Sequence, residues 1–319
     1  MQSYQCQVSR KNGKIYIFWK HSTCFLSHRI KMNDNRIKAD TIDCSNSILT
    51  PIQTKMDNFV MDAEVLPTGI DTGGEFRFVM DEGDANMVRK LLEQGASANT
   101  KAESDHYRPL HYALIKRRED YVEHLVEFGA ATNARDENGR LPLLLASRLG
   151  LAKSVENLLK FGARPYQPLT YSKWSALHVS AHNGKEECVA ILLAKVPGLL
   201  NIKTAKDSLE TPLHIATRAG HVRIVDMLLL AGAKVDERNK PVGHTALHIG
   251  ARLGHTQICA MLLDAGADPT LCEKGATKRS SLAIARDYKH NDCITLLLQA
   301  TEDHVRYEEE MEEWSQEEY

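Results

Sequence analysis

Two pairs of histidines stand four residues apart, the spacing at which two side chains on one helix face can bind the same zinc ion. The pairs are His178 with His182 and His244 with His248. A hydrolytic zinc site also has a glutamate beside the first histidine and a third protein ligand. Residues 179–181 are Val-Ser-Ala, and the sequence suggests no third ligand. We therefore predict no metal site and no cofactor.

The triplet Asp71-Thr72-Gly73 is the other candidate for chemistry. It matches the Asp-Thr-Gly of aspartic proteases, whose two carboxylates share one proton. Such an enzyme needs flanking strands and a second aspartate, whereas the residues after Gly73 read as helical repeats. We interpret the triplet as a turn and keep a hydrolase using Asp71 as the alternative from another class. Because the sequence shows no Ser/His/Asp or Cys/His set and no phosphate-binding glycine loop, we predict that the protein is not an enzyme.

The stretch 211–236 reads as two short helices joined by a turn. Thr211 is suited to cap the first helix, and Pro212 stands where a missing N–H is harmless. Gly220 and Gly232 can end the two helices in the left-handed conformation. Apolar residues follow helical spacing between the two glycines. Helices of about 8–10 residues are marginal in isolation, so this hairpin needs neighbours.

The leucine of this stretch recurs at intervals of 33 to 36 residues, and we call it the signature leucine. It is found at Leu110, Leu143, Leu177, Leu213, Leu247 and Leu282. A degenerate first copy has Phe76 in its place. The glycine that ends the second helix keeps the same period, at Gly95, Gly129, Gly162, Gly232 and Gly266. A fixed period of this length predicts a solenoid of stacked hairpins.

The residues around the signature leucine resemble the ankyrin-repeat family. The matching tetrapeptides are Arg108-Pro-Leu-His111, Ser175-Ala-Leu-His178, Thr211-Pro-Leu-His214 and Thr245-Ala-Leu-His248. The resemblance implies an all-α solenoid of about seven helix-turn-helix repeats with β-turn finger loops, over residues 73–301. It also implies that the signature histidines bind neighbouring backbone. Arg117 and Lys289 depart from the pattern, because each replaces the glycine that ends a first helix.

Charge is unevenly distributed outside the repeats. Residues 1–72 lack the repeat, and we predict a disordered segment in which only residues 15–19 suggest a strand. Residues 1–55 carry nine Lys/Arg against three Asp/Glu, which leaves nucleic-acid binding as an alternative although no known motif supports it. Residues 302–319 carry nine acidic residues and one arginine, typical of a solvated acidic tail. No apolar run is long enough to span a membrane, and the cysteines suggest reduced core thiols in a cytoplasmic or nuclear protein.

By the same resemblance, a partner protein would bind the residue three before each signature leucine and those five and six after it. The residues that we select are Tyr107, Arg140, Arg148, Trp174, His182, Arg218, His244 and Arg252. Arg148, Arg218 and Arg252 share one offset, so they predict a partly basic stripe for an acidic partner. The alternative is that these arginines only keep the array soluble. Trp174 has its own alternative, packing beneath its loop beside Tyr166.

The predicted function is that of a scaffold or adaptor that binds a protein partner as a monomer. A narrower version is a cytoplasmic regulator of a transcription factor that is similar to the inhibitor-of-kappa-B proteins. The acidic tail suggests a further hypothesis, that it lies across the basic stripe and competes with the partner. Asn99 and Asn133 fit loosely the asparagines that are hydroxylated in some family members, although such residues more often make the turn.

Overall fold

A computed structural model describes residues 5–11, 14–21, 24–28, 79–81, 83–101, 107–166, 173–205, 207–274 and 277–317. The chain divides into two compact units, Met1–Leu66 and Pro67–Tyr319. Asp71 and Phe76 lie outside the described residues. The hydrolase alternative therefore stays untested.

The N-terminal unit contains a three-stranded antiparallel sheet. Its strands are β1 (Gln5–Lys11), β2 (Lys14–His21) and β3 (Cys24–His28), with β2 in the centre. Val8 lies opposite Ile17 in one ladder, and Ile17 lies opposite His28 in the other. The sequence had suggested only one strand here, without a partner. Segments before and after it complete the ladders, and the β-branched and aromatic residues of β2 favour the extended conformation.

The larger unit is a stack of helical hairpins. The first helices of successive repeats are α2 (Pro109–Ile115), α4 (Pro142–Leu149), α6 (Ala176–His182), α8 (Pro212–Ala219), α10 (Ala246–Leu253) and α12 (Ser281–Asp287). The second helices are α1 (Ala85–Glu93), α3 (Glu119–Glu127), α5 (Ala152–Lys160), α7 (Glu186–Lys195), α9 (Val222–Leu230), α11 (Thr256–Asp264) and α13 (Asn291–Glu317). A 3-10 turn, Pro197–Leu199, follows α7 and accommodates the longer fourth copy. First helices pack on first helices and second on second, so the unit has two helical layers.

The core runs without interruption along the stack. The signature leucine is buried in each of repeats two to six. Each second helix contributes at least two more buried apolar side chains to the same core. Cys188, Cys259 and Cys293 are buried free thiols on second helices, as predicted. Burial raises the pKa of Cys188 to about 11, so this thiol stays protonated. Each repeat therefore depends on its neighbours to cover its apolar side.

The signature histidines join one repeat to the next. The Nδ1 atom of His214 accepts from the Thr211 hydroxyl at 2.7 Å, and its Nε2–H donates to the carbonyl of His244 at 3.1 Å. His178 repeats both contacts, with Ser175 and with the carbonyl of Glu210. The bond to neighbouring backbone that the resemblance implied is confirmed for His178 and His214. His111 Nε2 lies 3.3 Å from the carbonyl of Arg140, whereas Nε2 of His248 has no hydrogen-bond partner among the described residues. The arrangement needs a neutral imidazole, because a protonated Nδ1 would have no lone pair to accept with.

Asparagine side chains form hydrogen bonds between the turns that follow consecutive second helices, and we call these links asparagine staples. Asn133 accepts from the backbone N–H of Arg164 at 2.7 Å and donates to the carbonyl of Gly162 at 3.1 Å. Asn99 and Asn201 accept from the following repeat in the same manner. In the next copy Asp236 takes this place and accepts weakly from the N–H of Asp268 at 3.3 and 3.4 Å. A carboxylate has no N–H to donate to the following glycine carbonyl.

Glycine is favoured where a first helix ends against the next repeat. Gly184 has a φ of 67°, and a Cβ there would lie 2.8 Å from a ring carbon of His221. The same ring uses Nε2–H to bind the carbonyl of His182 at 3.1 Å. Arg117 and Lys289, which replace the corresponding glycine, keep the left-handed conformation with φ of 58° and 60°. The left-handed conformation is unfavourable for residues other than glycine.

The acidic tail continues the last helix. α13 extends from Asn291 to Glu317, so the residues predicted to form a solvated arm are helical up to that point. Glutamate has a high helix propensity, which favours this extension. His304, on this extension, lies 3.6 Å from a carboxylate oxygen of Asp268. The tail is therefore not placed across the first-helix layer in this structure.

The staple at position 236 leads to a stability prediction. Asp236→Asn should raise the free energy of unfolding by about 0.5 kcal/mol, because an amide can donate to Gly266 as Asn133 does to Gly162. Burial and the Asp268 charge raise the pKa of the Asp236 carboxyl. The stability gained by Asp236→Asn should therefore shrink as the pH falls and this carboxyl becomes protonated. Urea denaturation at pH 7 and pH 4 measures it. Asn133→Asp is the matched control and should destabilise; a loss of stability in both variants would contradict the account.

The buried histidines predict acid sensitivity. Burial lowers the pKa of His178 and of His248 to about 4, below the value of 6.5 in the unfolded chain. Between those values the unfolded chain binds more protons, so stability is full above pH 6.5 and falls as the pH drops toward 4. At pH 5 the loss is about 2 kcal/mol for each of these histidines. Thermal denaturation from pH 7 to 5 tests it; His178→Gln should flatten the dependence, and an unchanged slope would be contradictory.

Candidate functional site

The finger loops place one residue of each repeat beside the first helix. In five repeats the residue four before the signature leucine has a left-handed φ: Gly139, Lys173, Leu209, Gly243 and Lys278. Three of these are not glycine, and backbone strain of this kind is common where a loop carries function. The residue that follows is Arg140, Trp174, Glu210, His244 or Arg279. We call these residues, with those five and six after each signature leucine, the inner face.

Arg218, one of the predicted binding residues, is engaged within the protein. Its guanidinium donates to both carboxylate oxygens of Glu210, with 2.7 Å between Nη1 and Oε2. Burial alone would raise the pKa of Glu210, but the hydrogen bonds and charge of Arg218, with smaller contributions from His214 and Asn239, together lower it. The amide of Asn239 on the next finger also reaches this carboxylate, at 3.4 Å. The pair thus ties a finger to its own helix and to the following finger.

Arg140 is paired in a similar way. Its backbone N–H and its Nε–H each donate at 2.7 Å to the carboxylate of Asp136, which is buried at the base of the same finger. In the seventh copy Arg279 donates through Nε to Glu273 at 2.9 Å and through Nη1 to Asp287 at 3.0 Å. Both arginines therefore close their own fingers. Of the three arginines of the predicted stripe, only Arg218 is engaged by a carboxylate in this way within the described residues.

His244 contributes little to the surface. It is 8% exposed, and its ring stacks on His248 with 5.6 Å between centroids. Its Nε2 atom lies 3.0 Å from Oε2 of Glu273. Hydrogen bonds from Arg279, with others from Thr277 and His244, lower the pKa of Glu273 to about 2. His244 therefore helps to hold two neighbouring finger loops together and is not part of the open surface.

Trp174 and His182 lie together in the fourth repeat. The indole meets the His182 ring edge-on, with centroids 5.4 Å apart, and the buried His178 ring lies 6.2 Å away. Trp174 is half-buried and His182 is exposed. Tyr166 is 49% exposed, and the residues 167–172 of this loop lie outside the described part of the chain. Among the described residues, the ring contacts of the indole come from the first helix, and they place Trp174 beside His182 on the inner face.

The remaining predicted residues are Tyr107, Arg148 and Arg252. Tyr107 is half-buried and has an interaction partner. Arg148 is exposed and Arg252 is half-buried, and neither side chain has an ion pair or hydrogen bond among the described residues. The structure therefore leaves two of the three stripe arginines available. Whether the eight selected residues bind a partner stays a prediction.

Sequence reasoning missed the carboxylates that engage these arginines: Asp136, Glu210 and Glu273. Each lies in a finger, a short distance before the signature leucine. The acidic residue in each finger was a visible signal. The arginine with which each carboxylate pairs could not be read from the sequence, because the conformation of the finger decides which guanidinium lies beside it.

In the part of the chain that the structure describes, three ion pairs join the second helices of neighbouring repeats. Lys153 pairs with Glu123 at 3.0 Å, Lys195 with Glu156 at 3.4 Å and Arg223 with Glu186 at 3.1 Å. Such exposed pairs contribute little to stability.

Other ligand classes find little support within the described part of the chain. No group of three or more His, Cys, Asp or Glu side chains there is arranged to hold a metal ion. The helices described here also include none that is long and apolar enough to cross a membrane. Asn99 and Asn133 serve as backbone staples, which is the simpler of their two interpretations.

Comparison with known proteins agrees with this architecture. The family model for ankyrin repeats matches three times, over residues 76–168, 165–239 and 229–307. The chain belongs to the ankyrin-repeat family. The crystal structure of the human ASB11 ankyrin repeat domain is similar, with a TM-score of 0.58 and 28% sequence identity, and the match covers 70% of this chain and 96% of that one.

Curated relatives share the array but are longer. The probable E3 ubiquitin-protein ligase XBOS32 of Oryza sativa subsp. japonica is 31% identical over 192 residues, which cover 51% of this chain and 39% of the relative. Human Rabankyrin-5 is 33% identical over 159 residues, covering 50% of this chain and 13% of the relative. The chain thus matches less than half the length of these relatives. Ankyrin repeats form a protein–protein interaction module that is generally not enzymatic.

The finger ion pairs predict different roles for two arginines at the same offset. Arg218→Ala should lower the free energy of unfolding by about 1–2 kcal/mol, because it leaves the Glu210 carboxylate partly buried without its guanidinium. Arg148→Ala should change it by less than about 0.5 kcal/mol, as expected for an exposed side chain without a partner. Chemical denaturation followed by circular dichroism measures both. If Arg218→Ala lowered the free energy of unfolding as little as Arg148→Ala does, Arg218 would not be a structural residue.

Proposed function

We propose that this chain is a non-enzymatic scaffold that binds a partner protein on the inner face of its ankyrin array. The observation that carries the proposal is the set of groups that the inner face leaves without a partner of opposite charge. Arg148 and Arg252 have no ion pair among the described residues, and the Trp174 and His182 rings lie together on the same face. Tryptophan and arginine are the residue types most enriched at binding hot spots.

The rigidity of the site supports the same function. Finger residues are fixed by buried carboxylates, and the first helices are fixed by histidine bonds to the following repeat. A partner that binds such a surface orders few side chains, which keeps the entropic loss on association small. The stack also presents its binding residues at regular intervals along one direction.

An adaptor role is one narrower form of the proposal. Several relatives are named as E3 ubiquitin-protein ligases, and their matched segment is a minor part of each protein. In that setting the array of this chain would select a protein for another component to act on. The inhibitor-of-kappa-B-like form rested on the acidic arm, which here continues the last helix. The buried free thiols agree with the proposed cytoplasmic or nuclear location.

Site-specific photo-crosslinking tests the proposed surface. A benzophenone amino acid at position 148 of the full chain should capture partner proteins from cell extract, because Arg148 is exposed on the inner face. The same group at position 223 is the matched control, since Arg223 has a side chain 81% exposed in the second-helix layer. Mass spectrometry identifies the products. Equal capture from both positions, or capture only from position 223, would refute the assignment.

A further inference from the structure

Arg148 and Arg252 stand at equivalent positions three repeats apart. Each lies five residues after a signature leucine, at the last turn of α4 or of α10. Other cations of the inner face are engaged: Arg140, Arg218 and Arg279 by finger carboxylates, and Lys116 by Asp81 at 3.1 Å. The uncompensated positive charge of this face therefore concentrates at two points rather than along a continuous stripe.

Both arginines belong to the same local unit. Each is followed by a leucine and a left-handed glycine, in Arg148-Leu149-Gly150 and Arg252-Leu253-Gly254, with glycine φ of 79° and 73°. Leu253 is 38% exposed and Leu149 is half-buried. Each unit thus offers a guanidinium beside an apolar side chain. A carboxylate can bind the guanidinium through two parallel hydrogen bonds.

The distance between the two units suits an extended chain. Packed helices lie about 8–10 Å apart, so three repeat steps amount to about 24–30 Å. An extended strand advances about 3.3 Å per residue, so seven to nine residues cover this distance. Trp174 and His182 lie one step from Arg148, which corresponds to about three residues of the same strand.

We propose that the inner face binds an extended acidic segment of a partner protein. Two carboxylate side chains of the segment, seven to nine residues apart, bind Arg148 and Arg252, and an apolar side chain about three residues from the first carboxylate packs on Trp174. The inference rests on the proposed function and adds the chemistry of the partner. The guanidiniums of Arg148 and Arg252 repel a basic segment, and the finger carboxylates are already paired with arginines, so the charge pattern also selects against a basic partner.

A series of synthetic peptides tests the spacing. Fluorescein-labelled peptides of otherwise Ser, Gly and Ala residues carry two glutamates separated by four, eight or twelve positions and a leucine three after the first glutamate. Fluorescence anisotropy with the full chain at low salt measures the affinity. The peptide with a separation of eight should bind at least tenfold more tightly than the other two. Affinities that do not depend on the separation would overturn the proposal.

Charge reversal tests the two anchors. Arg148→Glu and Arg252→Glu should each weaken binding of the eight-spaced peptide at least tenfold, whereas Arg223→Glu, on the second-helix layer, should change it by less than twofold. Circular dichroism checks that the three variants fold. An equal loss in all three would show that only the net charge matters and would overturn the two-anchor arrangement. Trp174→Ala should weaken the leucine peptide but not a peptide with alanine in its place.

Two outcomes separate this inference from others. If crosslinking at position 148 captures a partner but the peptides bind without regard to spacing, the proposed function stands and this inference fails. If deletion of residues 302–319 raises the affinity of the eight-spaced peptide more than tenfold, the occupant of the surface is the acidic tail of the chain itself. That result would also overturn the proposal of a partner segment.

Discussion

No hairpin of this array can bury its apolar side alone, and this constraint shapes the rest of the structure. Each repeat must present one flank to the repeat before it and the other to the repeat after it. His178, His214 and the asparagine staples bind backbone groups at those contacts, so polar as well as apolar contacts join neighbouring repeats. The fold therefore leaves the loops and first-helix ends as the surface that is free to vary.

Charge on that surface is decided by the fingers. A buried carboxylate in three fingers engages an arginine of the inner face, which fixes the loop and removes a cation from the pool available to a partner. Counting arginines at one offset overestimates the basic stripe, because Arg218 and Arg148 have the same sequence position in their repeats but different neighbours. The available positive charge is sparse, and its spacing becomes the informative quantity.

The repeats were predictable because most copies carry the same pattern of leucine, histidine and glycine at the same spacing. The left-handed conformations of Arg117 and Lys289 follow from their alignment with glycines, and the role of His214 follows from its place in the tetrapeptide. The pairing of Glu210 with Arg218 was not predictable, since it depends on how a finger folds against a helix. The N-terminal sheet was missed for a related reason, because its pairing has no second copy to reveal it.

The central claim is that a partner reads the inner face through a few uncompensated groups on a rigid array. A crystal structure of the full chain in complex with the protein captured at position 148 tests it most directly. The account predicts an extended segment along the first-helix layer, with carboxylates at Arg148 and Arg252 and the finger ion pairs intact. A partner bound to the second-helix layer, or one that breaks the Glu210–Arg218 pair to bind Arg218, would contradict it.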